Sequence, residues 1–403
     1  MSDFDVIVVG GGPAGASAAI ELARSGARVL LAEREQFPRP KLCGEFISPE
    51  CLGHFERLGV LEAMEGAGGA AVSETVFYAP SGRGLSVPSE WFGDGGRALG
   101  LSRAEMDALL LARARAAGVE VLEEASPAEV FVEGGVVRGL RLRVGAGGER
   151  VCRARVTIDA TGRGRAVARR AARELGRETH ARVRAPLVAF KAHLGGARGA
   201  EGACEIYFYP GGYGGLSPVE NGLSNLCFIA RAADARAQSG DAERLLRELL
   251  SRNRRAARTL EGALALSAWL AVSLESFGRH DPAPCPGLVA VGDAAAFIDP
   301  FTGSGMLMAL ESGELAARAV ARHLPALESS RGGFGALARD YEAAYAARFD
   351  ARLRLCGLLR RAAFAPAPLA ELAVRALNLS ARARRRLARA TRRAPAADVF
   401  SRG

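Results

Sequence analysis

The sequence predicts an α/β fold in which a nucleotide-binding domain, built from discontinuous segments, carries an inserted β-rich domain and ends in a helical C-terminal region. Three observations predict it. A strand, a glycine turn, a helix and a second strand follow one another almost from residue 1. A second strand and glycine turn lead into a helix near residue 300. Between these two units lies a stretch whose pattern is that of β-strands.

The elements follow in order. "DVIVVG" (5–10) is an apolar run of strand length, and "PAGASAAIELARS" (13–25) reads as a helix that stops before Gly26. "RVLLAE" (28–33) is the second strand, which completes a Rossmann-like β-α-β unit. Helical signals return over 102–117, with a short strand at 119–123 and further strands around 129–143 and 154–159. Between about 183 and 230, "PLVAFKAHL", "CEIYFYP" and "GLSNLCFIA" are strands separated by glycine turns. Residues 241–260 read as helical, "GLVAVGD" (287–293) as a strand, 305–323 as a helix, and everything from about 334 as helical. The division expected is 1–75, 100–180 and 281–325 for the nucleotide-binding domain, 76–99 and 181–280 for a substrate domain, and 326–403 for the helical C-terminal region.

Composition narrows the class. With 49% hydrophobic and 24% charged residues the chain is of globular type. "MSDFDVIVVG" is too short and acidic for a secretory leader, and no uncharged apolar run reaches the ~18 residues of a membrane span. Seven cysteines without a C-x-x-C pair argue against a disulfide framework and against a metal site, so reduced thiols and a cytoplasmic location are expected. The net charge of +10 is concentrated: from Arg348 onward 14 arginines face only Asp350, Glu371 and Asp398. A basic tail on a neutral body is not a nucleic-acid footprint, and no nucleic-acid partner is expected. The tail, including "LLRRAAFAPAPLAELAVRALNLSARARRRLARATRR", has two readings: a peripheral surface for an anionic membrane, or a solvated face covering the substrate domain.

Two motifs carry the cofactor reading. Gly10, Gly12 and Gly15, with Ala14 among them, form G-x-G-x-x-G between strand and helix. The first glycine permits the tight turn, the second admits a pyrophosphate against the backbone, and the third lets helix and strand pack closely. The helix N-terminus then offers unpaired N–H groups and partial positive charge to the phosphates. Glu33 ends the second strand, where a carboxylate can accept ribose hydroxyls. The later motif, "GLVAVGDAAAFIDPFTGSGMLMALESG", places Asp293 at a strand end and Pro300, Gly303, Gly305 and Met306 around a helix start. A carboxylate there suits the ribityl hydroxyls of a flavin, which NAD lacks. The helix N-terminus at Gly305-Met306 suits negative charge on the N1/C2=O edge of a reduced flavin. FAD is the expected cofactor.

Together these motifs resemble the FAD-dependent oxidoreductases of the p-hydroxybenzoate hydroxylase fold, over about residues 1–325. Arg103 and Asp107 in "SRAEMDALL" resemble that fold's R-x-x-x-D element, whose arginine reaches the FAD phosphate and ribityl region. "TIDATGRGRAVAR" resembles its D-G-type element through Asp159, Thr161 and Gly162, with Ala160 and Thr161 departing from the commonest form.

"FPRPKLCGEFIS" (37–48) contains Lys41, one of only two lysines; Lys191 is the other. Pro38 and Pro40 favour extended backbone, in which Lys41, Cys43 and Glu45 share one face. Lys41 beside Cys43 would lower the thiol from its reference of ~8.5 and make it a proton donor or acceptor. The competing reading is a helical turn with a Lys41–Glu45 pair and Cys43 as buried filler. "PRPKLCGE" resembles the geranylgeranyl reductase branch of the fold, in which this segment lies against the flavin. That resemblance implies Cys43, Gly44 and Phe46 at the isoalloxazine. Cys43, Lys41 and Glu45 are the catalytic candidates.

Tyr207, Tyr209 and Tyr213 are the substrate-facing candidates, with ordinary sheet packing as the competing account. Alternation puts Tyr207 and Tyr209 on one face and Phe208 on the other. The branch's Y-x-W-x-F-P tunnel element is matched at its end by Tyr209 and Pro210, but Tyr207 replaces its tryptophan and Glu205 its first tyrosine. The resemblance implies an oxidoreductase acting on a small hydrophobic, isoprenoid or polyketide-like substrate by flavin hydride transfer to C=C. The competitor is a monooxygenase that hydroxylates an aromatic ring through a C4a-hydroperoxide. A halogenase is disfavoured, because its W-x-W-x-I-P element is missing and only Trp91 and Trp269 occur. A non-catalytic prenyl-protein escort is disfavoured because Glu33, Arg103 and Asp293 are all present. With no second G-x-G-x-x-G, reduction is expected from transiently bound NAD(P)H, from a reduced carrier or from a separate reductase partner.

Overall fold

The computed structural model describes residues 2–92, 96–177, 186–274, 277–328, 331–364 and 366–392. Its first sheet places Glu120–Leu122, Val29–Ala32, Phe4–Val9, Gly148–Asp159 and Leu288–Ala290 side by side, all parallel. Phe4–Val9 is buried throughout, which is why the strand is apolar without alternation. The start of Gly148–Asp159 runs on into an antiparallel meander with Val136–Val144 and Ala125–Glu133.

Helices Pro13–Arg24 and Gly305–His323 pack against each other through small residues. A Cβ on Gly313 would lie 2.4 Å from the Ala14 carbonyl oxygen, and Ser17 Oγ donates to the Leu310 carbonyl at 3.2 Å. Only a glycine permits that approach, and it sets the start of the first helix against the middle of the second.

The second sheet runs Leu264–Ala265, Leu187–Gly195, Ser224–Arg231, Gly212–Pro218, Ala203–Tyr209, Glu74–Tyr78 and Gly84–Pro88, with Leu270–Leu274 also on Leu187–Gly195. Residues 74–88 thus join strands more than 100 positions later. One face packs under helices Ala242–Leu249 and Arg254–Thr259. The other turns toward the first domain, where Leu187, Ala189, Tyr213 and Ile229 meet Phe297 and Phe301.

Helix Arg331–Ala363 lies along Gly305–His323, held by Arg348 and Arg352 on Glu311 at 2.5 and 2.7 Å. Two further helices, Ala367–Asn378 and Ala381–Ala390, close over the space between the domains. The single helix expected at 241–260 is two, because Asp241 and Asn253 each accept backbone N–H bonds and start a new helix. Helices Pro49–Leu58 and Leu61–Gly66 were not anticipated. Among the described residues no helix is long and apolar enough to cross a membrane.

Candidate cofactor and substrate site

The two glycine turns open into one cavity of about 430 Å³. Gly10 adopts φ +111°, and a Cβ there would meet the Ala160 carbonyl oxygen at 2.3 Å. On Gly15 it would meet the Gly10 oxygen at 1.9 Å. These two glycines build the turn without lining the cavity, whereas Gly12 and Ala14 do line it. From the late motif, Asp293, Pro300, Gly303, Gly305 and Met306 line the same wall. A Cβ on Gly292 would come within 2.9 Å of the Ala14 Cβ, so the motifs touch. Helices Pro13–Arg24 and Gly305–His323 begin at Gly12 and Ser304 with no side chain capping either N-terminus. Their first N–H groups and positive dipole ends face the cavity with no side-chain acceptor.

Asp293 makes no hydrogen bond to any described residue and borders the cavity. Enclosure raises its carboxyl above the usual range, against the pull of Lys41, Arg163 and Arg103. Arg103 lines the wall near Gly12 and forms a two-pronged pair with Asp107 at 2.9 and 2.7 Å. Burial opposes its charge, but the Asp107 carboxylate and then the Cys43 sulfur, both interacting with the guanidinium, hold it more firmly protonated than usual. Glu33 lies behind the first turn, accepting Gly11 N–H at 2.7 Å. Asp159 faces away from the cavity and caps the following segment through Thr161 and Ala168, while Ala160 and Gly162 line the wall.

Two uncapped helix ends, a carboxylate without a partner and a turn closed to side chains fit an FAD. Gly12 and Ala14 would face its phosphates, Asp293 its ribityl chain, and Gly305 and Met306 the flavin edge. Asp293→Ala is expected to weaken FAD binding by roughly 10- to 100-fold, the loss of one or two charge-assisted hydrogen bonds. Flavin absorbance per mole of protein after dialysis measures it.

Residues 37–45 form neither a strand nor a helical turn; only Phe46–Ile47 pair, with Leu99 and Gly100. Lys41, Cys43, Gly44 and Phe46 line the cavity. The shared face expected for Lys41, Cys43 and Glu45 is corrected at Glu45, whose φ of +53° breaks the extended alternation. Its carboxylate is fully buried and binds Lys191 Nζ, His193 Nε2 at 2.6 Å and Arg103 N–H at 2.8 Å. The Lys41–Glu45 pair of the helical reading is therefore absent, and Glu45's cation is the other lysine. Glu45, a catalytic candidate, borders the cavity with its carboxylate engaged by these three partners. Burial works against its charge, but these partners outweigh it and hold the carboxyl below the usual range.

Lys191 Nζ also reaches the Lys41 carbonyl at 3.3 Å, and Asn225 Nδ2 donates to the Cys43 carbonyl at 3.0 Å. The second sheet thereby grips the loop. Lys191, His193 and Asn225 escaped the sequence reading, although a lysine and a histidine two apart in the apolar run "LVAFKAHLG" were a signal. The Cys43 thiol receives Glu45 N–H at 3.5 Å. Enclosure by the cavity walls, reinforced by Arg103, lowers the Lys41 ammonium, although solvent reaches its side chain through the cavity.

The remaining wall is apolar. Phe301 of the cofactor turn lies 5.7 Å from Phe77, 5.5 Å from Phe208 and 5.6 Å from Tyr213, ring centre to ring centre. Tyr213 donates to Asp299 and accepts Phe301 N–H at 2.9 Å. As substrate-facing residues, Tyr207 and Tyr209 are corrected. They do share a face, but it is the one under the helices, where Tyr207 donates to Glu205 and Tyr209 to the Ile229 carbonyl. Phe208 faces the cavity, and Tyr213 does so because it pairs directly with Phe208 across the strands.

Residues 3–326 match the model of the FAD binding domain family. Digeranylgeranylglycerophospholipid reductase 2 of Methanopyrus kandleri is 29% identical over 324 residues, covering 79% of this chain and 77% of the relative. Menaquinone reductase of Mycolicibacterium smegmatis is 30% identical over 336 residues, covering 78% and 75%. The solved myxobacterial chondrochloren halogenase superposes with a TM-score of 0.71 at 27% identity, covering 85% of this chain and 80% of that one.

Proposed function

The chain belongs to the FAD binding domain family and is an FAD-dependent oxidoreductase; from that premise we propose that it reduces a carbon–carbon double bond in an isoprenoid-like, hydrophobic substrate. One observation carries the reading: a single cavity runs from the cofactor turns, past Cys43, to a wall of Phe77, Phe208, Phe301 and Tyr213. The two relatives' names, for a glycerophospholipid reductase and a menaquinone reductase, support it. Neither Trp91 nor Trp269 lines the cavity, and Trp269 packs on Phe228 beneath the sheet, which disfavours halogenation.

When bound and reduced, FAD supplies hydride to carbon. This chain's residues do the rest. The aromatic wall holds a flat unsaturated group and excludes water from it. Cys43, at the junction of the polar and apolar walls, gives its thiol proton to the second carbon of the former double bond. Arg103 and the Glu45 N–H then stabilise the thiolate. Water reaching Lys41 restores the proton.

Product mass after turnover tests the reaction. A gain of two hydrogens without oxygen is expected; a gain of one oxygen atom, seen only in air, would overturn it in favour of hydroxylation. Cys43→Ser is expected to slow turnover by about 100-fold with FAD still bound, the usual scale of a lost general acid. Unchanged single-turnover rates would remove the thiol from the reaction.

A further inference from the structure

The last two helices have opposite faces with different tasks. In Ala367–Asn378, Ala370, Ala373, Val374 and Leu377 line the cavity. On the other side Leu369, Leu372, Ala376 and Leu379 follow one another at helical spacing and are exposed, Leu379 at 88%. In Ala381–Ala390, Leu387 and Ala388 line the cavity, while Arg382, Arg385, Arg386 and Arg389 point outward. Among the described residues, Arg375, Arg382, Arg385 and Arg386 have no acidic partner, and Glu371, the only acid on these two helices, is occupied by Ser81. Of seven large hydrophobic side chains exposed among the described residues, Leu369, Leu372 and Leu379 sit in this one cap.

The exposed leucine stripe is unfavourable against water, and the arginines beside it leave an uncompensated positive charge. Together they are complementary to a bilayer of anionic lipids, with the leucines in the acyl boundary and the guanidiniums at the phosphates. We propose that this outer face docks the protein on an anionic membrane, so that the roof of the cavity is also its membrane-facing surface and a lipid substrate passes between the roof helices. Docking stands on the surface itself; the delivery step rests on the reductase reading above.

The test uses the full-length holoenzyme in flotation with vesicles of phosphatidylglycerol and phosphatidylcholine, or of phosphatidylcholine alone. Binding to the anionic vesicles, reversed by salt, is expected. Changing Arg382, Arg385 and Arg386 together to Gln should weaken it by about 100-fold, at roughly a fivefold contribution from each arginine near such a surface. Changing Leu369, Leu372 and Leu379 together to Ser should weaken it by about 100-fold or more. Both variants should keep their FAD content and their turnover of detergent-dispersed substrate, and lose turnover of vesicle-embedded substrate in step with binding. Equal binding to neutral vesicles, no binding, or variants that bind like the wild type would overturn the docking. So would capture of the arginine-rich face by an acidic protein or DNA with no affinity for vesicles. Vesicle binding without turnover of any isoprenoid lipid would support docking and overturn the reductase reading.

Discussion

Gly15→Ala is expected to give a chain that neither holds FAD nor reaches wild-type stability. The new methyl would stand 1.9 Å from the Gly10 carbonyl oxygen, in a turn where a Cβ on Gly10 would likewise stand 2.3 Å from the Ala160 carbonyl oxygen. Both obstacles are backbone, so no rotamer relieves them. The cost is on the order of 3 kcal/mol or more, a large share of an ordinary domain's stability. Thermal melting and flavin absorbance should fall together. Gly66→Ala is the control: nothing lies within 4 Å of a Cβ there, and its melting temperature should equal or slightly exceed the wild-type value. Equal behaviour of the two variants would show that close packing at Gly15 does not set the cofactor turn.

Glu45→Gln should have the second large effect. Lys191, 2% exposed, and His193 would face an uncharged amide, and the Arg103 N–H would lose a charged acceptor. Removing one partner from a buried ion pair costs about 3–5 kcal/mol, because the remaining charge stays desolvated. The sign of the pH dependence follows from the lowered folded-state carboxyl. Glu45's contribution is fully present above its unfolded value near 4.5 and is lost as pH falls through the lower folded value. The gap in melting temperature between wild type and variant should therefore be widest near neutrality and close in the acid range. A gap that stays constant to low pH would assign the effect to packing instead of charge. Because Lys191 also holds the Lys41 carbonyl, the variant should loosen the loop that carries Cys43, and turnover should fall along with stability.

What could be read from the sequence divides along physical lines. Gly10, Gly12, Gly15 and Asp293 were legible because their work is local: a positive φ or a missing side chain is written into a short spacing. The strand alternation of Tyr207, Phe208 and Tyr209 was equally legible, but alternation alone does not say which face meets the cavity. Both faces of that sheet are covered, one by helices and one by the cofactor domain, so apolar side chains occur on each. The partners of Glu45 were hidden for another reason. They lie 146 and 148 positions away, on a strand that reaches the loop only after the sheet has formed. The amphipathic tail was visible as such, while its role as the roof of the cavity depends on how the helices fold back.

The contact of Gly313 with the Ala14 carbonyl has one more result. With the Ala14 carbonyl and the small Ser17 side chain standing where a Gly313 side chain would go, the two helices meet at near-backbone distance, and any larger side chain at Gly313 would push the pyrophosphate turn and the flavin turn apart. The spacing of the two turns that would grip the cofactor is thus set like a gauge, by the size of one residue at the helix crossing.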